Sequence, residues 1–160
     1  MKVEIRPIRK EDNAAVKNLI QSVMPEFGAS GAGFAIHDAE VHDMYSGYQD
    51  DRSVYYVCVV NGQIVGGAGI APLKGGDTSV CELKKMYFLP SARGRGYGRS
   101  TLMVCIEKAR ELGYKKCYLE TFNTMKDAMV LYEKAGFRKI SQPLGNTGHF
   151  ACDTFYELAL

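Results

Sequence analysis

The sequence predicts an α/β fold, a sheet of mixed direction flanked by helices. Short runs rich in valine and tyrosine stand between strong turn signals. Other segments repeat apolar residues at helical spacing, and the two kinds alternate as β-α-α-β-β-β-α-β-α-β-β. A chain of 160 residues with 46% hydrophobic content fits one domain, 1–160, whose core needs neither disulfide nor metal.

Val3, Ile5 and Ile8 among charges give a first strand ending near Pro7 to Arg9. Glu11, Asp12 and Asn13 offer caps for a helix through Val16, Leu19, Ile20 and Val23, which Pro25 is expected to stop. A glycine-rich loop, FGASGAGFAIHD, follows, then a short amphipathic helix at Ala39 to Tyr48. Ser53 to Val60 and Gln63 to Ala71 are strands joined at Asn61-Gly62, the pair that a two-residue hairpin turn favours. After Lys74-Gly75-Gly76-Asp77 comes the strand Ser79 to Leu89, ended by Pro90. Leu102, Met103, Ile106, Ala109 and Leu112 line one face of the next helix, which Gly113 closes. Lys115 to Thr121 is a strand and Met125 to Ala135 a helix capped by Gly136. Phe137 to Ile140 begins a further strand, and a last one lies near His149 to Leu158.

Twenty basic against 18 acidic side chains leave a formal charge of +2, too little for a nucleic-acid partner. Cys58, Cys81, Cys105, Cys117 and Cys152 are odd in number, lack a C-x-x-C and mostly sit in apolar runs; buried free thiols are expected. MKVEIRPIRKED has no apolar signal core and no stretch has membrane-spanning length, so the expected location is cytoplasmic, with no membrane partner.

The strongest local signal is a strand, then Arg93-Gly94-Arg95-Gly96-Tyr97-Gly98, then a helix. Close glycines let the backbone curl until several N–H groups point into one concavity. The helix start adds its positive dipole end, and Arg93, Arg95 and Arg99 add charge, a combination suited to a diphosphate. The plainer alternative is a glycine turn with solvated arginines. A Rossmann spacing fails because Arg99 stands where the third glycine belongs, and no G-K-[ST] exists for a Walker loop.

What remains is R-x-x-G-x-G, at Arg93, Gly96 and Gly98, preceded by LKKMYFLP and followed some 30 residues later by LYEKAGF, Leu131 to Phe137. From about Val80 to Phe137 the chain resembles the GNAT superfamily of N-acetyltransferases. The resemblance implies a mostly antiparallel sheet whose fourth and fifth strands splay apart, with acetyl-CoA as co-substrate in the gap. The pyrophosphate would meet the amides of Gly94, Arg95, Gly96, Tyr97 and Gly98, and pantetheine the backbone of Met86 and Phe88. An N–H near Met86 would stabilise the oxyanion of a tetrahedral intermediate. Tyr132 would protonate the leaving thiolate and Glu82 would take the amine proton, directly or through water. Beside these roles stand plainer ones: a core tyrosine at 132, and an edge carboxylate at 82 paired with Lys84.

Relatives often carry N-x-x-A-x-x-L-Y, but Met125 holds the asparagine position, so Asn123 is expected to supply the missing contacts to the cofactor. Phe27 and Phe34, in the glycine-rich loop, and His149 fall where the family builds its acceptor pocket. His37, His42, Asp38 and Asp43 have spacing that fits no metal site well, and no metal is expected. An acyl-enzyme on Cys81 is conceivable, but no activating neighbour marks it. The expected activity is direct transfer to a primary amine of a small molecule or peptide; the alternative is a noncatalytic acyl-CoA sensor. A homodimer through the last strands rests on analogy alone.

Overall fold

The computed structural model describes residues 1–160. Seven strands make one sheet: β1 (Val3–Pro7), β2 (Val54–Val60), β3 (Gln63–Pro72), β4 (Val80–Phe88), β5 (Lys116–Thr121), β6 (Arg138–Ile140) and β7 (Thr154–Ala159). Their spatial order is β1-β2-β3-β4-β5-β7-β6, antiparallel throughout except between β4 and β5. The helices are α1 (Asn13–Glu26), the single turn α2 (Met44–Gly47), α3 (Tyr97–Glu111) and α4 (Lys126–Lys134).

β2 shows why the sheet holds helices on both faces. Its sequence VYYVCVV is apolar without interruption, as a strand covered on two sides requires. Tyr55, Val57 and Val59 join Val16, Leu19, Ile20 and Val23 of α1 in one core. Tyr56 belongs to the other, with Leu102, Cys105, Ile106 and Ala109 of α3. Each fully buried Leu, Ile or Val contributes about 1.5–3 kcal/mol. At the hairpin tip, Asn61 and Gly62 take φ of 50° and 82°, the two positive values that a primed turn needs.

Between β4 and β5 the sheet opens. Only Val80 to Glu82 pair with Lys116 to Tyr118; beyond that β4 continues to Phe88 and β5 to Thr121 without touching as a ladder. β4 also kinks here. Its register with β3 shifts between Gly67 and Gly69, opposite Lys85, which takes a φ of 51°. A left-handed lysine costs on the order of 1 kcal/mol, and the Tyr55 hydroxyl offsets part of it by donating to the Lys85 carbonyl at 2.8 Å.

Three expectations need correction. Pro25 lies inside α1, because proline lacks a donor but accepts helical φ. The stop is Gly28, at φ 80°, whose N–H bonds to Pro25 O while Ala29 N–H bonds to Met24 O, a Schellman end. Ala39 to Tyr48 is no continuous helix: a 3-10 turn, Ala39–His42, is cut off at Asp43, which caps α2 by accepting from Ser46 N–H at 3.1 Å. The last strand begins at Thr154, so His149 stands in the turn before it.

Candidate active site

Two cavities occupy the parted strands. The larger, about 280 Å³, runs from the start of α3 toward the kink in β4, between Phe88 on β4 and Ala128 and Leu131 on α4. At its mouth Gly94 and Gly96 take φ of 75° and 84°, and a Cβ on either would meet nothing within 4 Å. Their glycines are needed for backbone conformation, not for space. Gly98 differs: a Cβ there would lie 3.5 Å from Met86 and 3.6 Å from Leu131, on the cleft floor. The first amides of α3 have no intrahelical acceptor and face outward as donors.

The arginines divide. Arg99 lines the cleft. Arg93 also lines it, but its guanidinium is spoken for: it forks onto Glu26 at 2.9 and 2.8 Å and donates twice to the Phe88 carbonyl, at 3.0 and 2.8 Å. It braces α1 against the end of β4. Arg95 is exposed and donates to Ser91 O, while Tyr97 reaches away to Met1 Sδ; neither side chain lines the cleft. Asn123 is exposed and lines neither cavity, whereas buried Met125 lines both.

Because Leu89 N–H donates to Val65 O on the β3 side, strand alternation turns the polar groups of Phe88 and Met86 toward the open edge. Arg93 takes the Phe88 carbonyl there. The Met86 backbone faces the gap where β5 has left.

The smaller cavity, about 40 Å³, lies beyond Met86 and is lined by Glu82, Glu120, Tyr132, His149 and Cys152 among apolar side chains. Met86, Tyr87 and Met125 border both spaces and form their junction. Glu82, Glu120 and His149 each offer a polar atom within 4.8 Å of the others. His149 is wedged: Nε2 lies 2.8 Å from Asp38 and Nδ1 3.5 Å from Glu120. Burial opposes its charge, yet the bonds to Asp38 and Glu120 outweigh burial and raise its pKa to about 9. Asp38 is likewise resisted by burial, but His149 and Lys85 hold it down to about 2.

Glu82 is the exception in this cluster. Its carboxylate has no hydrogen-bond or ion-pair partner, and burial, with Glu120 close by, lifts it to about 7 despite nearby Lys84, His149 and Lys85. The alternative pairing with Lys84 does not form; Lys84 bonds to Glu40 at 2.7 Å instead. Tyr132 is buried against Phe137 and Tyr156, and burial pushes its phenol far up, so it stays protonated. Phe27 lines the larger cleft, under the Arg93 guanidinium, and Phe34 packs edge-on against Phe122; neither lines the smaller cavity. Cys81 lies in the α3-side core and lines neither space; all five cysteines are free, and Cys152 alone is half-exposed.

Glu120 and Tyr87 were not singled out in the sequence, and Asp38 was weighed only as a metal ligand. Glu120 carried a usable signal, a carboxylate inside an apolar strand beside the one that holds Glu82. Asp38 carried none, since its partner lies 111 residues away.

The sheet is mixed and parted at its one parallel pair, with helix-start amides at the mouth of the gap and a buried acid at its far end. A family model described as the Acetyltransferase (GNAT) family matches residues 16–137, and the chain belongs to that family. It is 41% identical over 150 residues to YjgM of Escherichia coli, named an uncharacterized N-acetyltransferase, covering 93% of this chain and 90% of that one. Similarity to N-acetyltransferase family 8 member 2 of Rattus norvegicus is 27% over 114 residues, 70% of this chain and 47% of the relative. Among solved structures, a GNAT acetyltransferase from Staphylococcus aureus superposes with a TM-score of 0.87 at 22% identity, covering 99% of both chains. The yncA acetyltransferase of Salmonella typhimurium, solved with acetyl-CoA, gives 0.77 at 22% identity, covering 100% of this chain and 95% of that one. No helix is long and apolar enough to cross a membrane.

Proposed function

We propose that the chain moves the acetyl group of acetyl-CoA directly to a primary amine of a small molecule or peptide, without a metal. The observation that carries this is the junction: the amide-lined cleft and the acid-bearing cavity meet at Met86, Tyr87 and Met125. A thioester carbonyl lying at that junction has the Met86 backbone on one side and Glu82 beyond it.

Roles follow from position. Amides of Gly94 to Gly98, with Arg99, hold the diphosphate, and the apolar walls hold pantetheine. An ammonium entering the smaller cavity passes one proton to Glu82, whose pKa near 7 suits a base at neutral pH. The free nitrogen pair forms the C–N bond, and the Met86 N–H steadies the oxyanion. When the C–S bond breaks, the thiolate takes the Tyr132 proton, and the second nitrogen proton returns to the phenolate. The products are the amide and CoA thiol, with one proton left on Glu82 to escape to water. His149, held as a cation between Asp38 and Glu120, has no lone pair for an ion, so the trio it forms with Glu82 and Glu120 suits proton handling better than metal binding.

Release of free thiol from acetyl-CoA over a panel of amines tests the proposal. Turnover with at least one amine, lost in Glu82→Gln, is expected. Tight acetyl-CoA binding with no turnover on any amine would instead leave a sensor.

A further inference from the structure

The charges around the smaller cavity favour one kind of amine over another. Three cations line it, Lys84, Lys85 and His149, and each already faces acids behind it. Lys84 lies 2.7 Å from Glu40; Lys85, wholly buried, lies 2.7 Å from Asp38 and 3.1 Å from Glu40; His149 is held between Asp38 and Glu120. Glu120 is satisfied in turn by the hydroxyls of Tyr118, at 2.7 Å, and Thr147. One charged group is left without a partner, the Glu82 carboxylate, and the remaining wall is largely apolar: Met24, Leu119, Phe122 and Met125.

From this we infer that the acceptor is an amine with no acidic group beside the nitrogen, an alkylamine or the aminoalkyl end of a longer molecule, and that free α-amino acids are rejected. The inference rests on the transfer reading above and narrows it. An ammonium finds its one counter-charge in Glu82. A carboxylate on the adjacent carbon would enter with the nitrogen and find no free donor of positive charge. It would lie against Glu82 and Glu120 in a space that holds little water, where like charges repel strongly and an unpaired ion is costly. Opening a Lys85 or His149 pair to receive it would strand Asp38 or Glu40 instead.

The test uses three acceptors that share one carbon skeleton: 1-aminobutane, norvaline, which adds an α-carboxylate, and norvalinamide, which keeps the added bulk but not the charge. With the wild-type protein and saturating acetyl-CoA, kcat/KM for norvaline is expected to fall at least tenfold below norvalinamide, with 1-aminobutane highest. Norvaline used as well as norvalinamide would overturn the inference. Calorimetry of the same amines on the protein loaded with CoA should give the same order of affinity. That arm needs no chemistry, so absent turnover counts against the transfer reading, and a reversed order of binding counts against this one.

Discussion

The two ends of the gap, proposed for coenzyme and for acceptor, are built by opposite means. The larger cleft takes its polar character from one short stretch, Gly94 to Arg99, and from main-chain groups at a helix start. The smaller cavity takes its character from side chains far apart in sequence: Asp38, Glu82, Glu120 and His149, brought together by loops and by two strands. Backbone donors serve any sequence that bends correctly. A side-chain cluster depends on each member's partner, and a single substitution redistributes charge over all of them. The first end is therefore expected to fail by losing its shape, and the second by losing its proton balance.

Changes at the two ends should separate cleanly. The largest effect is expected for Gly96→Glu, which forces a side chain onto a φ of 84° and sets a carboxylate in the proposed diphosphate site. The acetyl-CoA KM should rise by about 100-fold, the loss of roughly 3 kcal/mol of binding; an unchanged KM would remove the turn from the site. Next, Glu82→Gln should cut turnover by about 100-fold while acetyl-CoA binding holds. In the wild type, kcat/KM should climb with pH through about 7, as Glu82 loses its proton. Tyr132→Phe follows at roughly tenfold in kcat, with little change in CoA affinity, because the ring keeps its packing. Equal turnover would take the acid role from Tyr132.

Smaller and more diagnostic is His149→Gln. Removing a cation next to Glu82 makes its ionisation harder, so the acidic limb of the rate profile should move up by about one pH unit or less. A limb that stays in place would show that His149 only packs. The same residue sets a stability effect. Its pKa is raised in the folded state, so its contribution is complete below about 6.5 and is lost as pH rises through about 9. The wild-type Tm should drop by roughly 10 °C over that window, the equivalent of about 3 kcal/mol for a shift of this size, and His149→Gln should flatten the drop.

The same contrast governs what the sequence disclosed. Strands, their hairpin and the α3 turn were legible because each signal is local: Asn61-Gly62 for the tip, and closely spaced glycines for the bend that opens α3. The parting of β4 from β5 came through family likeness, and the pairing that stops at Glu82 and Tyr118 agrees with it. Errors arose where a local rule had a rival. Pro25 looked like a terminator, but the Schellman end at Gly28 ends α1. The Arg93 guanidinium, offered to the diphosphate by its motif, also has a partner that no local signal shows, Glu26, 67 residues away. The plainer alternative gave Lys84 to Glu82 by its place on the strand, but Glu40, from the turn Ala39–His42, claims it. Ion pairs across such separations leave no periodicity to detect.

Lys85 ties the two ends into one mechanical unit. Its main chain supplies the kink that precedes Met86, while its ammonium is anchored in the 38–40 loop. Any remodelling of that loop to admit a bulkier guest pulls on the same residue that sets the direction of the Met86 amide, the group proposed to polarise the thioester carbonyl. Selectivity and rate in this scaffold should consequently drift in concert: a variant that widens the acceptor's entry at Asp38 or Glu40 blunts the chemistry too, unless position 85 is replaced at the same time by a residue, such as glycine, that keeps the bend without the tether.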